Sequence, residues 1–201
     1  MEKEKRTVDI EYRLIRDDGR PRIEGYAAVF NKDSEDMGFI ERIAPGAFKS
    51  ALKVSDVRAL FNHDPNFVLG RSKSGTLVLK EDRTGLHMSV KPPDTQLIRD
   101  LVLAPIDRGD ITQQSFAFEV EEDEWDGLDK DQPVRTIRKF KQIFDVSPVT
   151  FPAYPDTDVA LRKLSELKHT LTDSHKTAGS HTRSKSAALL EKIDLFLKER
   201  S

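Results

Sequence analysis

The sequence predicts a mainly β chain with flanking helices. Short β-prone runs follow one another through most of the chain, with turn signals about every 8–12 residues and few helical patterns between them. This arrangement favours an antiparallel barrel or sandwich over an α/β fold. After Asp156 the composition changes, and residues 169–186 are rich in Ser, Thr, His and Lys without apolar periodicity. We therefore expect one β domain followed by a separate tail.

Composition limits the classes of function. The 201 residues are 37% hydrophobic and 34% charged, which is typical of one core with solvated extensions. The net charge of -2 gives no basic excess that would favour nucleic acid or an anionic membrane as partner. The absence of cysteine excludes disulfides and thiol catalysis. No apolar run approaches the roughly 18 residues of a membrane-spanning helix, so we expect a soluble protein.

The β domain is predicted element by element. Residues 1–6 are charged and predict a disordered leader. Two alternating segments on either side of a turn at Asp17–Pro21 predict an opening hairpin. A short helix is expected near Phe48–Val54, and a second helix is capped by Asp94 or Thr95 and ended by Gly109. Further strands are predicted at Phe39–Ile43, Val57–Phe61, Thr76–Lys80, Gly85–Val90, Ser115–Val120, Val134–Phe140 and Gln142–Val146.

The carboxy-terminal part is predicted to be less compact. Three prolines within residues 147–155 predict a stiff, extended segment that cannot lie inside a sheet. A helix over 159–167 leads into a flexible linker, which we place at 166–186. Residues 187–201 form an amphipathic pattern that is too short to be stable alone, so we predict a docking helix. Its apolar face contains Leu189, Leu190, Ile193, Phe196 and Leu197.

Ser115 is a candidate nucleophile. Phe116, Phe118 and Val120 alternate with smaller or polar residues, so Ser115 begins a strand on the face opposite the phenylalanines. A serine at the point where a loop becomes a strand is held by the scaffold while its oxygen stays accessible. The alternative is a serine on the solvent side of an antiparallel strand, which is the commoner situation for a single serine.

His63 and Asp145 are the candidate partners of Ser115. His63 follows a β-prone run directly, between Asn62 and an Asp-Pro turn, where an imidazole is well placed to act as a general base. Asp145 lies in an apolar strand context, where a carboxylate is costly to bury without a partner. Asp110 and Asp64 remain open as the third group. His63 as a turn residue and Asp145 as an exposed strand residue are the alternatives.

The remaining histidines and sequence motifs do not indicate a second functional site. His87 lies in a strand, and three further histidines in the tail have neither helical metal-site spacing nor a fixed carboxylate beside them, so we expect no metal site. Phosphate-binding loops, dinucleotide fingerprints and the Gly-Xaa-Ser-Xaa-Gly elbow are absent.

Five ordered blocks nevertheless resemble one family. They are Gly25-Tyr-Ala-Ala-Val-Phe30, Glu41-Arg-Ile-Ala-Pro-Gly-Ala-Phe48, Leu60-Phe-Asn-His-Asp64 with Leu69-Gly-Arg71, Gln114-Ser-Phe-Ala-Phe118 and Asp145-Val-Ser-Pro-Val-Thr-Phe-Pro-Ala-Tyr154. Over residues 5–165 the chain resembles the prohead (capsid maturation) serine proteases of tailed bacteriophages and prophages, which are related to herpesvirus assemblin.

The resemblance implies a fold, an activity and partners. We expect an antiparallel β-barrel of the assemblin type over residues 7–165, and a serine endopeptidase that needs no cofactor. His63 and Ser115 match the family's histidine and serine. The third member is histidine in the herpesvirus enzymes, and Asp145 takes its place here. Expected substrates are scaffold segments, the major capsid protein and the protease itself, inside the procapsid in the host cytoplasm, and relatives imply a homo-oligomer. The balanced charge leads us to expect no nucleic acid and no membrane as partner.

Two other functions remain open. The same barrel without catalysis would hold scaffold or capsid subunits, with the tail helix as anchor. A carbohydrate- or nucleic-acid-binding barrel needs exposed aromatics or a basic groove, and the chain has one Trp, three Tyr and balanced charge.

Overall fold

The described part of the chain contains ten strands, several short helical segments and one longer helix. The computed structural model describes residues 3–9, 13–17, 20–151 and 158–177. The strands are β1 (Glu4–Asp9), β2 (Arg13–Asp17), β3 (Arg20–Val29), β4 (Ile40–Ile43), β5 (Arg58–Phe61), β6 (Asp64–Arg71), β7 (Leu77–Glu81), β8 (Gly85–Val90), β9 (Gln113–Asp126) and β10 (Val134–Val149). The helices are α1 (Ala51–Val54), α2 (Gln96–Ile98), a π-helical turn (Arg99–Leu103), α3 (Ala104–Arg108) and α4 (Asp158–Thr177). The prediction of a mainly β chain with flanking helices is confirmed.

The described strands form two sheets. The larger has the order β1-β9-β10-β5-β6, with β4 also paired to β10, and the smaller has the order β2-β3-β8-β7. One apolar core contains side chains of both sheets, and its centre is a group of phenylalanine rings in mutual contact. These rings belong to Phe48, Phe116, Phe118 and Phe140. The two sheets do not close into a barrel, so the expected barrel closure is not seen.

The prediction of an antiparallel arrangement is wrong for β4 and β5. Both pair with β10 in parallel, β4 along its first residues and β5 near Asp145 and Val146. The chain leaves β4, forms α1, and returns in the same direction, so two short strands follow one another along one edge of a long strand. Parallel neighbours need a long crossover connection, and the elements between β5 and β10 lie within the connection from each of these short strands to β10.

β10 also differs from its prediction. The two strands expected at 134–140 and 142–146 are one strand of 16 residues, because register shifts on either side of Phe140 let the chain bend without leaving the sheet. The strand includes Pro148, which was expected outside any sheet. Proline lacks an amide donor, yet its carbonyl oxygen accepts a hydrogen bond from Asn62 N at 3.0 Å.

The charged leader is in part a buried strand. Residues 4–6 belong to β1, and Arg135 of β10 donates hydrogen bonds to Glu4 at 2.7 Å, to Glu41 at 2.9 Å and to Asp123 at 2.8 Å. Arg6 donates to Glu41 at 2.7 Å. Because every one of these charges has a partner of opposite sign, the segment is held in the sheet, and its local composition did not reveal this.

Helix α4 extends beyond the predicted domain boundary. It runs to Thr177 and packs Ala160, Leu161 and Leu164 against Phe39 and Trp125. The expected linker at 166–186 therefore begins inside a helix that is anchored by these apolar contacts. The remainder of that linker, the docking helix at 187–201 and residues 152–157 lie outside the described residues.

Candidate active site

Three neighbouring elements of the larger sheet bring the candidate residues together. Ser115 is the third residue of β9, and it is paired across the sheet with Ser147 of β10. Asp145 is paired with Ala117, so it lies on the same face as Ser115, opposite the phenylalanines of the core. The hairpin of β5 and β6 adjoins β10 and carries His63 at its tip.

The turn that carries His63 has an unusual backbone. Phe61 and Asp64 are paired, so Asn62 and His63 are the two residues of a tight hairpin loop. Their φ angles are 53° and 57°, the left-handed values of a type I′ turn. Asparagine tolerates this region, but a histidine there costs roughly 1–2 kcal/mol. The contacts around the turn must therefore offset backbone strain at the position of the imidazole.

Asn62 provides such contacts. Its side-chain oxygen accepts a hydrogen bond from Thr150 N at 2.8 Å, and its Nδ2 donates to Thr150 Oγ1 at 3.1 Å. Together with the bond from Asn62 N to Pro148 O, these fix the hairpin tip to the end of β10. We name these three bonds the Asn62 clamp.

Ser115, His63 and Asp145 form a continuous chain of hydrogen bonds. Ser115 Oγ lies 2.7 Å from His63 Nε2, and His63 Nδ1 lies 2.5 Å from Asp145 Oδ1. A carboxylate only accepts, so Nδ1 carries the proton that it donates to Asp145, which leaves Nε2 free to accept from the serine hydroxyl. This tautomer is the one that a general base acting on Ser115 needs.

Asp145 is held as a carboxylate. Burial raises its pKa, but the hydrogen bond and the charge of His63 lower it, as do Lys3 and Ser147, and the result lies below the ordinary value. Ser147 Oγ donates to Oδ1 at 2.9 Å, and Lys3 Nζ lies 3.3 Å from Oδ2. Asp145 thus has three donors for its two oxygens, which fixes its orientation toward the imidazole.

The site is buried. Ser115 has no exposed surface, and the side chains of His63 and Asp145 are 10% and 4% exposed. A low-dielectric surrounding strengthens the hydrogen bonds of the chain.

A family model for caudovirus prohead serine proteases matches residues 7–172. The chain belongs to this family. The resemblance carried by the five sequence blocks is thus confirmed, and the protein is a serine peptidase of caudovirus capsid maturation. A search of curated proteins and a search of solved structures each found no match.

The structure of this prohead protease distinguishes Asp145 from the two other candidates for the third catalytic residue, Asp64 and Asp110. Asp64 Oδ1 accepts hydrogen bonds from Asn66, within the first residues of β6. Asp110 pairs with Arg108 on the surface at 2.9 Å. Of the three, Asp145 is the one whose carboxylate contacts the imidazole.

Several residues around the site were not singled out from the sequence. Ser147 and Thr150 lie in the proline-containing block, and Asn62 directly precedes His63, so their proximity to recognised candidates was a usable signal. Lys3 carried no such signal, because its contact with Asp145 spans 142 residues of sequence. The other histidine of the sheets, His87, packs edge-on against Tyr26 in the smaller sheet.

Two further observations concern the part of the chain that the structure describes. No group of three or more His, Cys, Asp or Glu side chains there could hold a metal ion. None of its helices is long and apolar enough to cross a membrane.

Proposed function

We propose that this prohead protease is an endopeptidase in which Ser115 is the nucleophile, His63 the general base and Asp145 the group that orients the imidazole. The hydrogen-bond chain at 2.7 Å and 2.5 Å carries the proposal. Three residues that are far apart in sequence meet in the order, tautomer and charge state that acyl transfer requires. Incidental polar residues of a binding module would have no reason to do so, which disfavours the non-catalytic alternative.

The proposed reaction has two acyl-transfer steps. Ser115 Oγ attacks the peptide carbonyl carbon while its proton passes to His63 Nε2, and the carbonyl electron pair moves onto oxygen. The C–N bond then breaks, and His63 returns the proton to the leaving amine. Water, activated by the same imidazole, attacks the acyl-enzyme and releases Ser115. Asp145 stabilises the imidazolium in both steps, and no cofactor is required.

The substrates follow from membership of the family. We propose that the enzyme cleaves segments of the scaffold and of the major capsid protein within the assembling procapsid, in the host cytoplasm, as a homo-oligomer. A relationship of its fold to herpesvirus assemblin is part of the same proposal, and its support is the ordered set of sequence blocks.

Self-cleavage is expected in the tail. A protease active site binds an extended peptide, whereas residues 158–177 are helical, and Ala160, Leu161 and Leu164 are buried. We therefore place the cleavage within residues 178–186, between α4 and the proposed docking segment at 187–201.

The test is to incubate the purified full-length protein and its Ser115→Ala variant, and to follow both by intact mass. Ser89→Ala is the matched control, because Ser89 Oγ donates to Glu24 in the smaller sheet, away from the site. We expect wild type and Ser89→Ala to lose a carboxy-terminal fragment and Ser115→Ala to stay intact. Co-expression with the major capsid protein and scaffold gives the same comparison for cleavage in trans. Equal shortening of all three proteins would refute the role of Ser115.

A further inference from the structure

The amino-terminal strand β1 lies beside the nucleophile. Thr7 of β1 is paired directly with Ser115 of β9, and Ser115 is paired with Ser147 on its other side. The order across the sheet at this level is therefore Thr7, Ser115, Ser147. Side chains of directly opposed residues have Cβ atoms about 4.5–5.5 Å apart and project to the same face.

The neighbours of Thr7 establish which face that is. Arg6 places its guanidinium 5.5 Å from the centre of the Phe118 ring, on the core side of the sheet. Because side chains alternate along a strand, Thr7 projects to the opposite face, where Ser115 lies. Lys3, on this same face, reaches Asp145. Strand β1 therefore borders the site both at its nucleophile and at its carboxylate.

The hydroxyl of Thr7 is unsatisfied. Thr7 Oγ1 is buried and has no hydrogen-bond partner among the residues that the structure describes. A buried hydroxyl without a partner costs about 1–3 kcal/mol, and such groups call for an explanation in function or in a missing ligand. This donor lies next to the candidate nucleophile, where a substrate atom would supply the absent acceptor.

We propose that Thr7 is a catalytic residue whose Oγ1–H donates a hydrogen bond to the oxyanion formed when Ser115 attacks a carbonyl. The inference rests on the proposed role of Ser115. The oxyanion needs a donor that lies away from the negative charge of Asp145. Thr7 is on the β1 side of Ser115, whereas His63 and Asp145 are on the β10 side. In the resting enzyme Thr7 Oγ1–H has no acceptor among the described residues. It gains the oxyanion as acceptor when the C=O electron pair moves onto oxygen.

The experiment compares Thr7→Val, which keeps the shape and removes the hydroxyl, with Thr7→Ser, which keeps the hydroxyl. Thr136→Val is the matched control, because Thr136 is a threonine of β10 that pairs with Glu124 and Arg42, away from the triad. The probe is p-nitrophenyl acetate, with kcat and KM measured separately. We expect Thr7→Val to lower kcat by about 10²-fold, as for loss of one oxyanion donor, with little change in KM. Thr7→Ser and Thr136→Val should retain turnover.

A second readout distinguishes catalysis from packing. Phenylboronic acid forms a tetrahedral, anionic boronate adduct with a serine, in which one boronate oxygen occupies the oxyanion position. Thr7→Val should weaken its inhibition while the thermal unfolding temperature stays that of wild type. Full turnover in Thr7→Val, or equal loss in Thr7→Val and Thr7→Ser, would overturn the assignment.

Ser115→Ala in the same assay separates the two proposals. If it is inactive and Thr7→Val is fully active, the oxyanion assignment alone fails. If Ser115→Ala retains turnover, the proposed nucleophile fails, and the assignment of Thr7 fails with it.

Discussion

Replacing Asn62 with glycine tests how the hairpin tip holds the imidazole in reach of Ser115. Glycine adopts a φ of +53° without strain, so Asn62→Gly removes the side-chain bonds of the Asn62 clamp and keeps the backbone conformation. The bond from the backbone nitrogen to Pro148 O is also kept. Any loss of activity therefore reports on the two bonds with Thr150.

The magnitude follows from those two bonds. Both are solvent-exposed, so each contributes about 0.5–1 kcal/mol, at the lower end of the range for hydrogen bonds. Their loss weakens docking of the tip by about 1–2 kcal/mol, which is roughly a 5- to 30-fold change in the docking equilibrium. Since His63 contacts Ser115 only when the tip is docked, we expect kcat to fall by no more than this factor.

The assay is turnover of p-nitrophenyl acetate by Asn62→Gly, Thr150→Val and the double variant. Thr150→Val removes only the acceptor of Asn62 Nδ2, so it should lower kcat less than Asn62→Gly does. Added to Asn62→Gly, it should cause no further loss of turnover. Asn31→Gly is the matched control, because Asn31 also has a left-handed φ, of 54°, in the turn after β3. Unchanged turnover in Asn62→Gly, or additive effects in the double variant, would refute the clamp.

Two further predictions concern buried charge. Arg135→Met should destabilise the protein by about 3–5 kcal/mol in denaturant unfolding, because it removes the buried cation shared by three buried carboxylates, which then keep only Arg6 and Lys163 as partners among the described residues. The exposed pair of Arg138 and Glu124 is the control, and Arg138→Met should lower the free energy of unfolding by less than about 1 kcal/mol. An equal decrease in the two variants would contradict the expected role of Arg135. The depressed pKa of Asp145 means that its carboxylate stabilises the fold above the unfolded-state value of about 3.9 and loses this contribution as the pH falls through the folded value. The difference in unfolding temperature between wild type and Asp145→Asn should therefore shrink as the pH falls below about 4, and a difference that is constant from pH 7 to pH 3 would show that the charge of Asp145 does not contribute.

The faces of the strands were predictable from local pattern. The alternation of Ser115 with Phe116 and Phe118 places the hydroxyl on one face and the rings in the core, and the structure has this arrangement. The position of His63 at a strand end was predictable as well, since Asn, Asp and Pro around it mark a turn. The left-handed backbone at His63 was not predicted from the sequence. Asn and His are only enriched in this region, and the tight loop depends on the pairing of Phe61 with Asp64.

The choice of Asp145 over Asp64 and Asp110 rests on tertiary structure. Sequence reasoning favoured Asp145 because a carboxylate in an apolar strand needs a partner, but it left all three open. The pairing of β9 with β10, which includes register shifts, decides which carboxylate faces His63. Such shifts depend on packing along the whole strand and are invisible to a pattern of period two.

By itself, then, the sequence determined the β class, the faces of the strands, the family and the candidate pair Ser115 and His63. These depend on alternation, turn residues and short motifs, all of which act over a few positions. The tertiary structure alone decided the parallel pairing of β4 and β5, the burial of the charged strand β1, and the approach of Lys3 and Thr7 to the site. The physical reason is that register and ion pairing depend on partners far apart in the chain, and a charged segment is indistinguishable from a solvated one until those partners are in place.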